Sequence, residues 1–257
     1  MKPRIGIPTP TTNDLDYNEV YWPTYAEAVT LSGGSPIEIS LGQGRLSLLS
    51  VLKTCSGFIL PGSPADVDPA RYGQSCQNSA APDPSRENMD SAILSHAETQ
   101  RTPVLGICYG MQLINVYYGG TLIQEIAKEP LDHSAGPSVP IAHAVELEPS
   151  SDLASIFLPK SSARSGPHRF LANSSHHQAI DVVGTGLRVA AWSTEDRIAE
   201  ALELDRRDSA SKDRLLLAVQ WHPERSFQTS PESRALFNVL VKNAAASSRR
   251  AAFASAQ

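Results

Sequence analysis

The sequence predicts an α/β fold: a mainly parallel sheet with helices on both faces, extended by antiparallel strands in the second half. Three observations carry this. Short apolar stretches such as "RIGIP", "GFILPGS" and "PVLGI" recur through the first 107 residues, as strands buried on both faces do. Stretches with helical spacing alternate with them, the order of strand–helix–strand units around a parallel sheet. Beyond residue 140, strand-like stretches crowd together, which favours antiparallel neighbours.

Taken in order, residues 4–8 read as a short buried strand. Residues 20–34, "VYWPTYAEAVTLSGG", have helical periodicity and close on a glycine pair suited to a C-cap. Residues 35–41 form a second strand, 45–55 a helix, and 57–63 a third strand running into a turn. Residues 85–100 are an amphipathic helix opened by Ser85, 103–107 a fourth strand, and 109–120 the next helix. In the second half "HAVELEPS", "RFLANSSHHQAI", "LRVAAWSTE", "IAEALELD" and "LLLAVQWH" are strand-like and suggest an antiparallel addition or edge. Residues 230–246 form a final amphipathic helix, and 247–257 a frayed, disordered tail. No repeat and no long linker divides the chain, so residues 1–246 are expected to form one domain. The Pro/Ser-rich loops 64–84 and 127–140 are placed to border a site.

Composition narrows the function. Of 257 residues, 41% are hydrophobic and 19% charged, the balance of a globular protein. The net charge is −5 and no Lys/Arg block occurs, so nucleic acid and anionic membranes are poor candidate partners. No stretch approaches the roughly 20 apolar residues of a membrane span, and the start lacks a signal-peptide core. Cys55, Cys76 and Cys108 are an odd number without metal-ligand spacing. That argues against a disulfide framework and for a reducing cytoplasm.

Cys108 stands in "GICYG", residues 106–110, between an apolar strand and a helix. This is the context of a nucleophile elbow, a sharp turn in which glycines at 106 and 110 permit close backbone approach. The helix that follows directs its N-terminal dipole at the sulfur and favours the thiolate. The Tyr109 N–H is free to donate to an oxyanion. The plainer alternative is a buried cysteine packing as a small hydrophobe, the reading given to Cys55; Cys76 is assigned no role.

A thiol nucleophile needs a base and a group that orients the base. His222 ends the most apolar strand-like run of the second half, in "LLLAVQWHPE". Pro223 keeps it out of helical dihedrals, and Glu224 is close enough to fix its tautomer. The order Cys…His…Glu argues against an α/β-hydrolase, whose acid precedes its histidine. In "PGSPADVDP" the Ser63 N–H is a natural second oxyanion donor, beside Gly62. "NSSHHQ", residues 173–178, suggests a pocket lining. Its adjacent histidines would diverge on a strand, and nothing nearby completes a metal shell, so no metal or cofactor is assigned. His96, His133, His143 and His168 read as surface or satisfied residues.

Together "GICYGMQ", "PGSPADVDP", "NSSHHQAI" and "QWHPE" resemble class I glutamine amidotransferase domains, and specifically the gamma-glutamyl-gamma-aminobutyrate hydrolase branch, peptidase family C26. The resemblance runs from about residue 4 to about 245 and implies a flavodoxin-like sheet. It implies Cys108 as nucleophile, His222 as acid/base, Glu224 as its partner, and Tyr109 and Ser63 as oxyanion donors. It places Gly62, Gln112, Asn173, Ser175 and His176 at the glutamyl moiety. The loop Pro61-Gly62-Ser63 departs from the two glycines of many relatives; a positive φ at Ser63 would cost a serine about 1–2 kcal/mol. The implied chemistry is cofactor-free hydrolysis of small γ-glutamyl amides through a thioester, as in polyamine catabolism. The reading leaves a homodimer open. Two other readings compete: a glutaminase subunit passing ammonia to a separate synthase, and a binding protein on an inactive scaffold, against which the three intact residues argue.

Overall fold

The computed structural model describes residues 2–77, 80–158, 168–207 and 214–254. Strands β1 (Arg4–Pro8), β2 (Ser35–Ile39), β3 (Gly57–Leu60) and β4 (Val104–Ile107) alternate with helices α1 (Leu15–Leu31), α2 (Arg45–Thr54), α3 (Pro84–Gln100) and α4 (Tyr109–Tyr117). The second half contains β5 (Leu122–Ile123), β6 (His143–Leu147), α5 (Asp152–Phe157), β7 (Arg169–Ala172), β8 (Ala179–Ile180), β9 (Leu187–Ser193), β10 (Ala199–Leu204), β11 (Leu216–Val219) and α6 (Pro231–Ala254).

Nine strands form one sheet in the order β2-β1-β3-β4-β11-β10-β9-β6-β7. The first five are mutually parallel, and the pairs from β11 to β7 are antiparallel. β5 and β8 pair separately. Every residue of β3, β4 and β11 is buried, because helices cover both faces there. One core joins Val29 of α1, Leu153 of α5 and Phe237 of α6 to Ile59 and Val219. The other joins Leu52 of α2, Ile93 of α3 and Leu113 of α4 to Phe58 and Leu216. Each such side chain contributes roughly 1.5–3 kcal/mol by leaving water. Among the described residues no helix is long and apolar enough to cross a membrane.

The structure corrects several sequence expectations. α1 starts at Leu15 because Asp14 caps it, accepting the Tyr17 N–H at 2.9 Å. α3 opens on Asp83, with Pro84 in the first turn and Ser85 already helical. α5, capped by Ser151, was not foreseen. The stretch 169–180 is not one strand: β7 ends at Ala172, and residues 173–178 leave the sheet before β8. β11 is not an antiparallel addition but the fifth parallel strand, paired with β4 from Leu216↔Val104 to Val219↔Ile107. α6 continues to Ala254, past the 246 expected; residues 255–257 lie outside the described residues.

Candidate active site

The carboxyl ends of β3, β4 and β11 lie side by side, the edge where open parallel sheets bind ligands. The residue after β4 is Cys108, with φ 52° and ψ −106°. A side chain in this region costs about 1–3 kcal/mol and persists only where neighbours over-determine it. Here three backbone bonds do so. The Cys108 N–H donates to Val219 O at 2.8 Å, and its carbonyl accepts the N–H groups of Met111 and Gln112 at 3.0 and 3.2 Å. The flanking glycines have a steric reason. A Cβ on Gly110 would enter the Leu60 carbonyl, and one on Gly106 would lie 2.5 Å from Ile114 Cδ1.

His222 follows β11 through Gln220 and Trp221. Its backbone is clamped by the Asn173 side chain: the His222 N–H donates to Oδ1 and Nδ2 donates to the His222 carbonyl, each at 2.9 Å. Ring Nδ1 is 2.7 Å from Glu224 Oε1, and the Cys108 sulfur is near enough to act on the ring's charge. All three groups are buried. Burial pushes the imidazole pKa down, but the Glu224 carboxylate and the Cys108 sulfur outweigh it and raise it to about 9. Burial pushes the Glu224 carboxyl up, and His222 pulls it below its ordinary value. Both directions put the proton on the ring.

Gly62 packs on that ring, where a Cβ would stand 2.9 Å from Cε1, and its N–H donates to Tyr25 Oη at 3.1 Å. The next N–H, of Ser63, has no acceptor among the described residues, and neither has that of Tyr109 at the first position of α4. Ser63 is not at positive φ, so serine fits without strain, and its Oγ accepts the Ala65 N–H at 3.1 Å.

The remaining expected residues fall differently. Gln112 is buried, its Nε2 donating to Gln178 O at 3.2 Å and Gln220 Oε1 at 3.3 Å. Ser175 is half-buried. His176 and His177 do diverge, although from a loop rather than a strand. His176 turns inward, Nδ1 2.9 Å from Gln178 O; burial and then His133 push its pKa well down. His177 bridges Asp66 at 3.1 Å and Glu125 at 2.9 Å, and the Asp66 bond raises it to about 9 against burial. The loops 64–84 and 127–140 border this region through Asp66, Lys128 and Asp132. His133 and His143, expected at the surface or satisfied, are buried against Glu200; His133 is satisfied by Asp196 at 2.8 Å, whereas His143 Nε2 has no hydrogen-bond partner among the described residues.

Sequence reasoning missed Arg86. It is fully buried, donating to Pro10 O at 2.6 Å, Pro61 O at 2.5 Å and Asp90 Oδ2 at 2.9 Å, with its guanidinium 4.8 Å from the Tyr109 ring centroid. It thereby ties the loop before Ser63 to the loop after β1. In "PSRENMD" an arginine reads as helix surface, and no local signal marks it as an anchor.

The fold and the elbow define a domain of the class I glutamine amidotransferase type. The glutaminase domain of Trypanosoma brucei CTPS with bound acivicin aligns over 95% of this chain and 94% of its own, with TM-score 0.58 and 18% identity, a likeness of fold. The Peptidase C26 family model matches residues 3–224, and the chain belongs to that family. Gamma-glutamyl-gamma-aminobutyrate hydrolase PuuD of Escherichia coli K12 is 35% identical over 226 residues, covering 84% of this chain and 83% of that protein. Protein NtpR of Enterococcus hirae is 29% identical, covering 94% and 99%.

Proposed function

We propose that this chain is a free-standing hydrolase of small γ-glutamyl amides, such as γ-glutamyl-γ-aminobutyrate, with Cys108 as nucleophile. The thiolate attacks the γ-carbonyl, and its electron pair moves onto oxygen, which the Ser63 and Tyr109 N–H groups receive. His222 gives its proton to the leaving amine as the tetrahedral species collapses to a γ-glutamyl thioester. The now neutral His222 takes a proton from water, whose oxygen attacks the thioester. Collapse releases glutamate and restores the sulfur beside the imidazolium. Glu224 holds the ring's tautomer and steadies its charge throughout.

The carrying observation is the convergence of a buried imidazolium–carboxylate pair on a cysteine held at φ 52°, with two N–H groups nearby that have no acceptor among the described residues. The name of the E. coli relative supports the substrate class. The test is glutamate release by the purified chain from γ-glutamyl-γ-aminobutyrate and from glutamine. The expected result is turnover of the former at a rate no second protein improves, with glutamine the poorer substrate because it lacks leaving-group contacts. Activity on glutamine alone, and only with a synthase added, would replace this reading with the glutaminase subunit.

A further inference from the structure

Beside the candidate active site, three buried side chains converge with no hydrogen bond between Glu200 and either histidine. Glu200 lies on β10, fully buried, and neither carboxylate oxygen has a hydrogen-bond partner among the described residues. His143 of β6 presents Nε2 to Glu200 Oε1 at 3.4 Å, and His133, from the loop before β6, presents Nδ1 at 3.5 Å. The other nitrogen of each ring faces an oxygen acceptor: His133 Nε2 is 2.8 Å from Asp196 Oδ2, and His143 Nδ1 is 3.4 Å from Ala144 O. An acceptor takes the ring N–H, which leaves a lone pair directed at Glu200. Ser174 Oγ lies 3.4 Å from His133 Nδ1, but its proton goes to the His133 carbonyl at 2.7 Å and so does not fill that lone pair. Two lone pairs and a carboxylate oxygen thus face one another away from water, an arrangement that needs a cation.

The spacing indicates which cation. A shared proton would draw a pair to about 2.7–3.0 Å. Donors on a tetrahedral ion with bonds of roughly 2.0–2.1 Å stand about 3.3–3.4 Å apart, close to both His–Glu separations, and all three ligand atoms lie within 4.8 Å of one another, so the two rings would draw together on the ion. Histidines whose far nitrogen is held by a carboxylate or carbonyl are the usual ligands of such ions. Asp196 and Glu200 also supply two negative charges that would balance a divalent ion. We propose that His133, His143 and Glu200 bind one divalent transition-metal ion of the zinc type, with the remaining coordination position toward His176. The His176 Nε2 lies 3.8 Å from Glu200 Oε1 and has no hydrogen-bond partner. The ion ties the loop before β6 to β10 and to the segment whose Asn173 clamps His222; it takes no part in the hydrolytic steps.

The full chain is purified from zinc-supplemented medium and its metal measured by mass spectrometry. The expected content is about one zinc per chain, for a closed structural site. Chelation lowers the melting temperature, and Zn²⁺ or Co²⁺ restores it where Mg²⁺ does not. Glu200→Gln and His143→Ala each lose at least about tenfold in bound zinc, whereas Cys108→Ala retains it. Should those variants fail to fold, the wild-type chelation and refilling series carries the test. Zinc below about a tenth per chain after titration, with an unmoved melting temperature, would overturn the proposal and leave a proton on Glu200. Undiminished zinc in a folded His143→Ala would also overturn it.

Discussion

At Cys108 one backbone conformation serves two needs. The positive φ turns the chain sharply enough to leave the sulfur between β4 and the first turn of α4, and the bonds to Val219, Met111 and Gln112 hold it there. Cys108→Ala keeps those bonds, so it should lower glutamate release about 10³-fold or more while the melting temperature stays near wild type. Burial does not separate Cys108 at 7% exposure from Cys55 at 8%. Chemistry does: burial raises the Cys55 thiol, whereas Cys108 stands beside an imidazolium. Iodoacetamide should label Cys108 first; equal rates would count against the nucleophile. His222→Ala should approach Cys108→Ala in effect, and Glu224→Gln should lose about 10–100-fold less, since it orients the proton carrier. The opposite ranking would reverse the roles. The pair also sets a pH dependence. His222 is raised from 6.5 to about 9, so its contribution to stability is full below pH 6.5 and lost as pH rises through about 9. Thermal melts should weaken across that window, and less steeply in Glu224→Gln.

At the scale of elements, α3 decides where the Ser63 loop sits. Its Arg86 is a buried cation whose partners are Asp90 and the carbonyls of two loops. Arg86→Leu would leave Asp90 buried and unpaired, at a cost of about 3–5 kcal/mol. Arg86→Leu with Asp90→Leu should recover most of that stability but not the activity, because the carbonyls of Pro10 and Pro61 lose their donor either way. Recovery of both would make Arg86 purely structural. The sequence made legible what local spacing encodes: "GICYG" between strand and helix, and "HPE" at the end of an apolar strand. β1 to β4 were legible because each is short, apolar and bounded by turn residues. What stayed hidden is what only tertiary packing sets. β11 looks like its antiparallel neighbours, and nothing local says that it slides in beside β4. Arg86, Glu200, His133 and His143 resemble surface residues until strands far apart in the chain bury them. The Asp14 cap was readable in principle but lay before the apolar periodicity that marked α1.

For the whole molecule the question is whether the parallel and antiparallel halves stand or fall together. β11 joins them. It pairs with β4 on one edge and β10 on the other, so the hydrogen-bond ladder runs unbroken from β2 to β7. The cores run under both halves as well: one links Ile5 and Tyr25 to Val145 and Ala191, the other links Phe58 and Ile93 to Leu202 and Leu204. Opening the antiparallel half alone would expose one edge of β11 and strip the cover from Val219, on which the Cys108 N–H depends. We therefore expect one cooperative unit. Its three tryptophans report on different places: Trp22 on α1, Trp192 on β9 and Trp221 just past β11. Variants retaining one tryptophan each, unfolded in urea, should give coincident midpoints, and these should match the far-ultraviolet dichroism of the whole chain. Loss of activity should share that midpoint, because Asn173, which clamps the His222 backbone, follows β7 in the antiparallel half. A Trp192 transition clearly below that of Trp22 would show that the antiparallel half opens first and that the chain is two units rather than one.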